Sequence, residues 1–162
     1  METVYILENI FPKDQRLDLI KKSEPLLVEG DDINRRYVGR DYPGRQTDSR
    51  IHEFSYFNFA ANRLLNLIKE KTGLDLVIDK SWVNWTNGKK SDIAWHTHRC
   101  DYAGVYYMKT TRFFSDGTLF KDRFVRVPLN GALIFPANIL HTAPSCPFRI
   151  GRYTWAFNLN KR

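Results

Sequence analysis

The sequence predicts an α+β fold, in which a β-sandwich or jelly roll is buttressed by helices packed on one sheet. Residues 1–75 contain two segments with apolar residues at helical spacing, whereas beyond Gly73 the hydrophobic period changes to two. About eight short strands separated by turn residues follow. The 162 residues suit a single domain. Within it, 1–75 would form a helical buttress with a basic loop, and 76–160 the jelly-roll core.

Two helices are predicted in the first part of the chain. Residues 4–7 are typical of a short strand, and Pro12 then opens a helix that Pro25 ends. The second helix carries apolar residues at helical spacing between Phe54 and Ile68, and Gly73 is its expected stop. Its aromatic side chains are expected to pack against a sheet and to carry no chemistry.

The second part of the chain is predicted to consist of strands. Asn87 and Gly88 form a turn signal after the first of them. The predicted strands are 76–85, 93–98, 103–109, 117–120, 124–127, 132–135, 140–143 and 153–159.

A long basic loop is predicted between the two helices, at residues 31–50. Pro43 and Gly44 are a turn signal. A loop of this length in a compact domain favours a functional role, so we expect a mobile cover or a binding loop. Its basic residues are Arg35, Arg36, Arg40, Arg45 and Arg50.

The charge balance indicates the kind of partner. Lys and Arg total 25 against 18 Asp and Glu, a formal net charge of +7. This favours an anionic partner such as nucleic acid or a phosphorylated or acidic molecule, although solubility alone explains it equally well. Two cysteines fit a reducing cytoplasm. With no signal peptide and no membrane span expected, we predict a cytoplasmic protein. The sequence does not indicate an oligomeric state.

Three of the four histidines lie in the predicted strands and suggest a metal site. Residues i and i+2 of a strand point to the same face, so His96 and His98 can reach one ion together. His141 is a candidate third ligand. Imidazole suits iron, zinc, copper and nickel, so the spacing alone does not choose the metal. Asp101 is a rival carboxylate ligand, which would need a turn to reach the ion.

The motifs from residue 82 to residue 158, about half of the chain, resemble those of non-haem Fe(II), 2-oxoglutarate-dependent oxygenases. The likeness is to the small prolyl-hydroxylase-like members common in phages and bacteria. That family carries a His-x-Asp pair, a strand with Tyr-Tyr, a Gly-x-x-x-Phe-Pro run, a distal His and then an Arg. In this sequence they fall on His96 and His98, Tyr106 and Tyr107, Gly131 to Phe135-Pro136, His141, and Arg152 followed by Thr154. The chain departs from the pattern at His98, where the family has its acid.

The resemblance implies a double-stranded β-helix and an Fe(II) ion held by His96, His98 and His141. It also implies that O2 and 2-oxoglutarate are consumed, that a C–H bond is hydroxylated, and that succinate and CO2 are released. By the same resemblance Arg152 would hold the distal carboxylate of 2-oxoglutarate, with Thr154 and Tyr107 beside it and Tyr106 facing away. No catalytic residue beyond the metal site is implied.

Further residues are candidates for substrate contacts or for support of the ligands. They are Asn84, Arg99, Asp101 and Arg45, with Trp82 as a further candidate for the pocket wall. Arg149 is an alternative carboxylate anchor, but it lacks the Arg-x-Thr context.

Two other functions stay open at this point. One is a three-His metal enzyme of the cupin type that does not use 2-oxoglutarate, which the Arg152-x-Thr154 pair argues against. The other is a non-catalytic jelly roll that binds nucleic acid or protein through the Arg-rich loop. His98 in place of the acid favours this reading, whereas His96, His141 and Arg152 oppose it. The sequence does not identify the substrate, because one fold serves many substrates.

Overall fold

The computed structural model describes residues 3–29, 44–86, 94–111, 116–144 and 151–162. Most of the expected basic loop, the Asn87-Gly88 turn and Arg149 lie outside these ranges.

The described elements follow the predicted order of helices first and strands after. The helices are α1 (Lys13–Ser23) and α2 (Ser55–Thr72). The strands are β1 (Tyr5–Leu7), β2 (Val28–Glu29), β3 (Arg45–Gln46), β4 (Leu76–Thr86), β5 (Tyr102–Lys109), β6 (Gly117–Phe120), β7 (Phe124–Arg126), β8 (Ala132–Pro136), β9 (His141–Thr142) and β10 (Arg152–Lys161). Short 3₁₀ turns cover Glu24–Leu26 and Ile51–Glu53.

The strands form two sheets. The larger sheet has seven strands in the order β1-β8-β5-β10-β4-β3-β2, and the smaller has three in the order β7-β6-β9. Every strand pair in both sheets is antiparallel. This confirms the predicted α+β jelly roll, since two antiparallel sheets with helices on one face is the expected layering.

Alternation along the central strands gives the large sheet two different faces. On β10, Trp155 and Phe157 enter the core shared with the helices, together with Phe57 and Leu64 of α2. The other face meets the small sheet in a second apolar core. That core contains Ala103, Tyr107, Phe120, Val127, Leu133, Phe135 and Ala137. The gap between the sheets is therefore the place where inward-facing polar side chains of β4, β5 and β10 can meet.

Helix α2 ends where the sequence predicts. Gly73 follows it with φ 77°, a left-handed conformation that glycine adopts without a Cβ clash, and its N–H bonds to the carbonyl of Lys69 at 2.9 Å. No helix in the described part of the chain combines the length and apolar composition needed to cross a membrane.

Two predicted elements differ from the structure. Of the strand expected at 93–98, the described residues form only an isolated bridge between His96 and His141. Within the expected loop, Arg45 and Gln46 form the short strand β3, which adds to the edge of β4. The pairing with Trp85 and Asn84 overrides the loop-like composition of that stretch.

Asn130 ties the N-terminal segment to the large sheet. It sits in the left-handed region with φ 63°, which asparagine tolerates better than most residues. Its Oδ1 accepts from the Phe11 amide at 3.1 Å and from the Tyr106 hydroxyl at 2.8 Å. Its Nδ2 donates to the Phe11 carbonyl at 2.8 Å. One side chain therefore satisfies both backbone groups of Phe11 and the phenol of a fully buried tyrosine.

Replacement of Asn130 should destabilise the protein through these bonds. Leaving a buried donor or acceptor unpaired costs about 1–3 kcal/mol, so Asn130→Ala should lower the free energy of unfolding by at least about 2 kcal/mol in urea denaturation. Asn130→Gly removes the same bonds but accepts the positive φ, so it separates the side chain from the backbone. If Asn130→Gly is as stable as the wild type, the three hydrogen bonds do not contribute to the free energy of unfolding.

Candidate metal centre

The backbone around three histidines brings their side chains together. His96 and His141 exchange two backbone hydrogen bonds, 3.0 Å from the His96 amide and 3.1 Å from the His141 amide. The His98 amide donates to the Ala137 carbonyl at 2.9 Å. These bonds hold the segment of the paired histidines against β9 and against the turn that precedes it. The two histidines of the pair reach one point even though no regular strand forms there.

The imidazoles of His96, His98 and His141 are close enough to share an ion. Their ring centroids lie 4.9 Å apart for His96 and His98, 4.4 Å for His96 and His141, and 5.2 Å for His98 and His141. One nitrogen from each ring lies within 4.8 Å of the others. Metal–imidazole bonds of about 2.0–2.1 Å give nitrogen separations well within this range.

Hydrogen bonds fix the orientation of two of the rings. The Nδ1 atoms of His96 and His141 lie 2.8 Å from the carbonyls of Ala94 and Ile139. A carbonyl only accepts, so Nδ1 carries the hydrogen in each ring and Nε2 keeps its lone pair for a metal. Among the described residues, no hydrogen bond fixes the ring of His98.

Burial keeps the cluster uncharged at neutral pH. Removal from water lowers the pKa of His141 to about 3 and that of His98 to about 4, with the neighbouring imidazoles adding to the effect. Burial also lowers the pKa of His96, and the hydrogen bond to the Ala94 carbonyl opposes this shift. The unprotonated imidazole is the form that binds metal, so the site needs no proton release near pH 7.

The cluster lies between the sheets, with apolar rings around its inner side. His141 is 5% exposed, and its ring meets those of Phe135 at 4.7 Å and Phe120 at 6.3 Å. On the other side, the indole of Trp82 on β4 lies 6.2 Å from the His98 ring. Apolar walls of this kind limit the access of water to a bound ion.

A second polar group lies on the face of the large sheet that meets the small sheet. Thr154 of β10 pairs with Tyr107 of β5, and Arg152 lies two residues before it on the same strand face. Arg152 is 2% exposed, and its Nη2 donates to the Pro144 carbonyl at 3.1 Å. The Tyr107 hydroxyl lies 3.2 Å from that of Thr118. Burial raises the pKa of Tyr107, and the Arg152 charge opposes that rise. Tyr106 faces the helices, opposite to Tyr107, as predicted.

Two residues that sequence reasoning missed also face this group. Thr86 pairs with Arg152 across β4 and β10, and its buried hydroxyl has no hydrogen-bond partner among the described residues. Gln46 donates from Nε2 to the Asn84 Oδ1 at 2.7 Å, and Asn84 pairs with Thr154. The period of two along β4 could have identified Thr86. Nothing in the sequence indicated that β3 would bring Gln46 there.

The remaining predicted site residues lie elsewhere. The Asp101 carboxylate accepts from the Lys161 amide at 2.8 Å and is not among the groups that can share an ion with the histidines. Arg45 pairs with Trp85 on the helix-facing side and lies over its ring at 5.6 Å, so it is not part of the group around Asn84. Arg99 is exposed beside His98.

Several solved structures of similar architecture come from enzymes that bind 2-oxoglutarate. HygX from Streptomyces hygroscopicus, with nickel and 2-oxoglutarate bound, matches with a TM-score of 0.69 and 13% identity over 99% of this chain and 83% of that one. The epimerase SnoN from nogalamycin biosynthesis gives 0.77 and 10% over 99% and 79%. The viral collagen prolyl hydroxylase of Paramecium Bursaria Chlorella virus-1 gives 0.68 and 11% over 98% and 96%.

These likenesses establish the fold. The chain has the double-stranded β-helix architecture of these 2-oxoglutarate enzymes, as predicted. No protein-family model matches the sequence, and no curated protein is similar to it.

Metal titration of variants tests the ligand set. His141→Ala should weaken Co(II) binding by more than the roughly 10- to 100-fold that loss of an outer-shell partner costs. His98→Ala should also weaken it, whereas His98→Asp should keep it because a carboxylate can take the same place. Binding is measured by calorimetry or by the visible absorption of Co(II).

Asp101→Ala is the matched control and should bind Co(II) like the wild type, because its carboxylate serves the Lys161 amide. Loss of Co(II) in Asp101→Ala with retention in His98→Ala would reverse the assignment. Unchanged affinity in both variants would mean a two-His site.

Proposed function

We propose that this protein is an Fe(II)- and 2-oxoglutarate-dependent dioxygenase that hydroxylates a C–H bond and releases succinate and CO2. The observation that carries the proposal is that a three-imidazole cluster and a buried arginine both lie in the gap between the two sheets. The first suits a divalent transition metal, and the second suits the far carboxylate of a dicarboxylic acid.

The donor set fits iron. Three neutral imidazoles converge from one side, and a catalytic site needs open positions on the other. His96 and His141 are pre-oriented through their Nδ1–H bonds, and His98 occupies the place where the resembling family has its acid. A bound Fe(II) ion would supply the oxidative chemistry with O2 and 2-oxoglutarate.

The polar group around Arg152 fits the distal carboxylate of 2-oxoglutarate. A guanidinium can donate two parallel hydrogen bonds to a carboxylate. Thr154 and Tyr107 sit at paired positions beside it. The hydroxyl of Thr86, which has no hydrogen-bond partner among the described residues, faces the same place. A buried hydroxyl without a partner is costly in the free protein, and an acidic ligand would satisfy it.

The chain's own residues would then bind and orient the cosubstrate and keep water out of the site. Arg152 with its hydroxyl neighbours holds one end of the cosubstrate, and the histidines fix the position of the reacting end. Phe120 and Phe135 close the inner side of the cluster, so the reaction is kept from bulk water. Trp82 borders the side from which a substrate would approach.

The alternatives are weaker on the same observations. A cupin-type three-His enzyme has no need for a buried cation beside the metal, which Arg152 provides. A non-catalytic jelly roll would gain nothing from orienting two imidazoles through their Nδ1 atoms, although His98 in place of an acid favours it.

The molecules bound in the structural neighbours differ in kind. HygX has been solved with hygromycin B, and a Trichoplax adhaerens prolyl hydroxylase with a hypoxia inducible factor peptide. The net charge of +7 supports an anionic substrate for this chain. The two cysteines support a cytoplasmic location.

Replacement of Arg152 should separate cosubstrate binding from metal binding. Losing one partner of a buried charge pair costs about 2–5 kcal/mol, so Arg152→Ala should weaken 2-oxoglutarate roughly 30- to several thousandfold. Its Ni(II) affinity should stay within about threefold of the wild type. Calorimetry with 2-oxoglutarate on the Ni(II)-loaded protein measures the first affinity, and calorimetry with Ni(II) on the metal-free protein measures the second.

Exposed Arg99 provides the matched control, and Arg99→Ala should leave both affinities unchanged. If Arg149→Ala weakens 2-oxoglutarate more than Arg152→Ala does, the anchor is the other arginine. Absence of succinate release from the Fe(II)-loaded wild type with 2-oxoglutarate and O2, across all candidate substrates, would contradict the proposed activity.

A further inference from the structure

The indole of Trp82 is set apart from the packed apolar side chains of the described residues. It lies on the inner face of β4, half-buried, and among the described residues it belongs to neither apolar core. Its ring contact within that part of the chain is with His98, at 6.2 Å and a tilt of 39°. The residue paired with it on β10 is Ala156, which has almost no side chain. A large flat ring is thus held beside the candidate metal ligands, next to a residue with only a methyl side chain.

Trp82 is the centre of a polar row along β4. Residues two apart on a strand share a face and lie about 6.6 Å apart. The row runs from the exposed Lys80 through Trp82 to Asn84 and the buried Thr86. Along the strand it therefore presents the cation of Lys80, the flat ring of Trp82 and the amide of Asn84, and it ends beside the group around Arg152.

The amide in this row has a fixed orientation. Gln46 Nε2 donates to Asn84 Oδ1 at 2.7 Å, so the Nδ2 of Asn84 is left to donate and the Oε1 of Gln46 to accept. A donor beside an acceptor matches the edge of a heterocyclic base. Near the Lys80 end of the row, the Oδ1 of Asn158 is buried without a hydrogen-bond partner among the described residues. It can accept one further donor from a ligand.

We propose that the substrate carries a nucleobase, which stacks on Trp82 while Asn84 and Gln46 contact its edge and Lys80 its phosphate. This inference rests on the proposed function for the site's chemistry, but the binding surface is independent of the metal. Bases stack on aromatic side chains with little regard to sequence, and a basic chain favours a phosphorylated ligand. The net charge of +7 agrees with that partner.

Other ligand classes fit the row less well. A purely aliphatic substrate would use the indole but leave the amide pair and Lys80 unmatched. An acidic peptide would use Lys80 but not the flat surface. A nucleobase with its phosphate uses the cation, the ring and the amide pair at the spacing that the strand sets.

Binding is tested without metal or 2-oxoglutarate, so the outcome does not depend on the proposed activity. Fluorescein-labelled single-stranded DNA and RNA of mixed sequence are titrated by anisotropy, and the four ribonucleoside monophosphates by calorimetry. Tight binding of strands with weak binding of monophosphates identifies a nucleic acid, and the reverse identifies a free nucleotide. Wild-type protein that binds none of these probes overturns the proposal.

Variants then assign the surface. Trp82→Ala should weaken every bound probe roughly five- to a hundredfold, because stacking does not depend on the base. Asn84→Ala should reduce the preference among the four bases. Lys80→Ala should lower the slope of log affinity against log salt by about one. Phe59→Ala, which removes a 68% exposed aromatic from α2, is the control and should bind like the wild type.

Equal affinity of Trp82→Ala and the wild type would overturn the stacking role, and thermal denaturation of each variant shows whether it is folded. If the strands or nucleotides bind but no succinate is released, the proposed activity fails while the binding surface stands. If succinate is released but Trp82→Ala binds every probe normally, the activity stands and this inference fails.

Discussion

The two backbone hydrogen bonds between His96 and His141 are the constraint on which the candidate metal centre depends. They join segments that lie far apart in the chain, without the support of a continuous strand on the His96 side. Because both residues of the bridge are themselves candidate ligands, the same pairing that places the His96 segment beside β9 also sets the separation of two imidazoles. The Ala137 carbonyl then places His98 through its own amide.

The alternation of side chains along β4, β5 and β10 determines which residues face the helices and which face the small sheet. Odd-numbered positions of β10 such as Trp155 and Phe157 anchor the sheet on α2, and the even-numbered Arg152 and Thr154 face the small sheet. A rigid apolar core on one face therefore positions polar side chains on the other. Precise placement of this kind is what a site built on strands gains over one built on loops.

Much of this organisation could be predicted from the residues alone. Helical apolar spacing located the two helices, and the change of hydrophobic period after Gly73 located most strands. The His-x-His spacing singled out two histidines whose rings the fold brings together with that of His141. The pair converges through single backbone bonds rather than through a regular strand, which no periodicity shows. Arg45 faces away while Gln46 faces inward, because the register of a two-residue edge strand depends on its partner. The isolation of Trp82 from both cores likewise depends on packing that only the folded chain reveals.

The neutral imidazoles have a consequence for the order in which the centre is assembled. With no carboxylate among the three ligands, a divalent ion would keep its full double charge inside a poorly solvated gap. Before the ion arrives, a dianion entering that gap is attracted by Arg152 without the help of a metal charge. Afterwards the double positive charge of the ion adds to that attraction. Metal and dicarboxylate must therefore strengthen each other's binding reciprocally, and more strongly than in a centre whose ligand acid has already cancelled one charge.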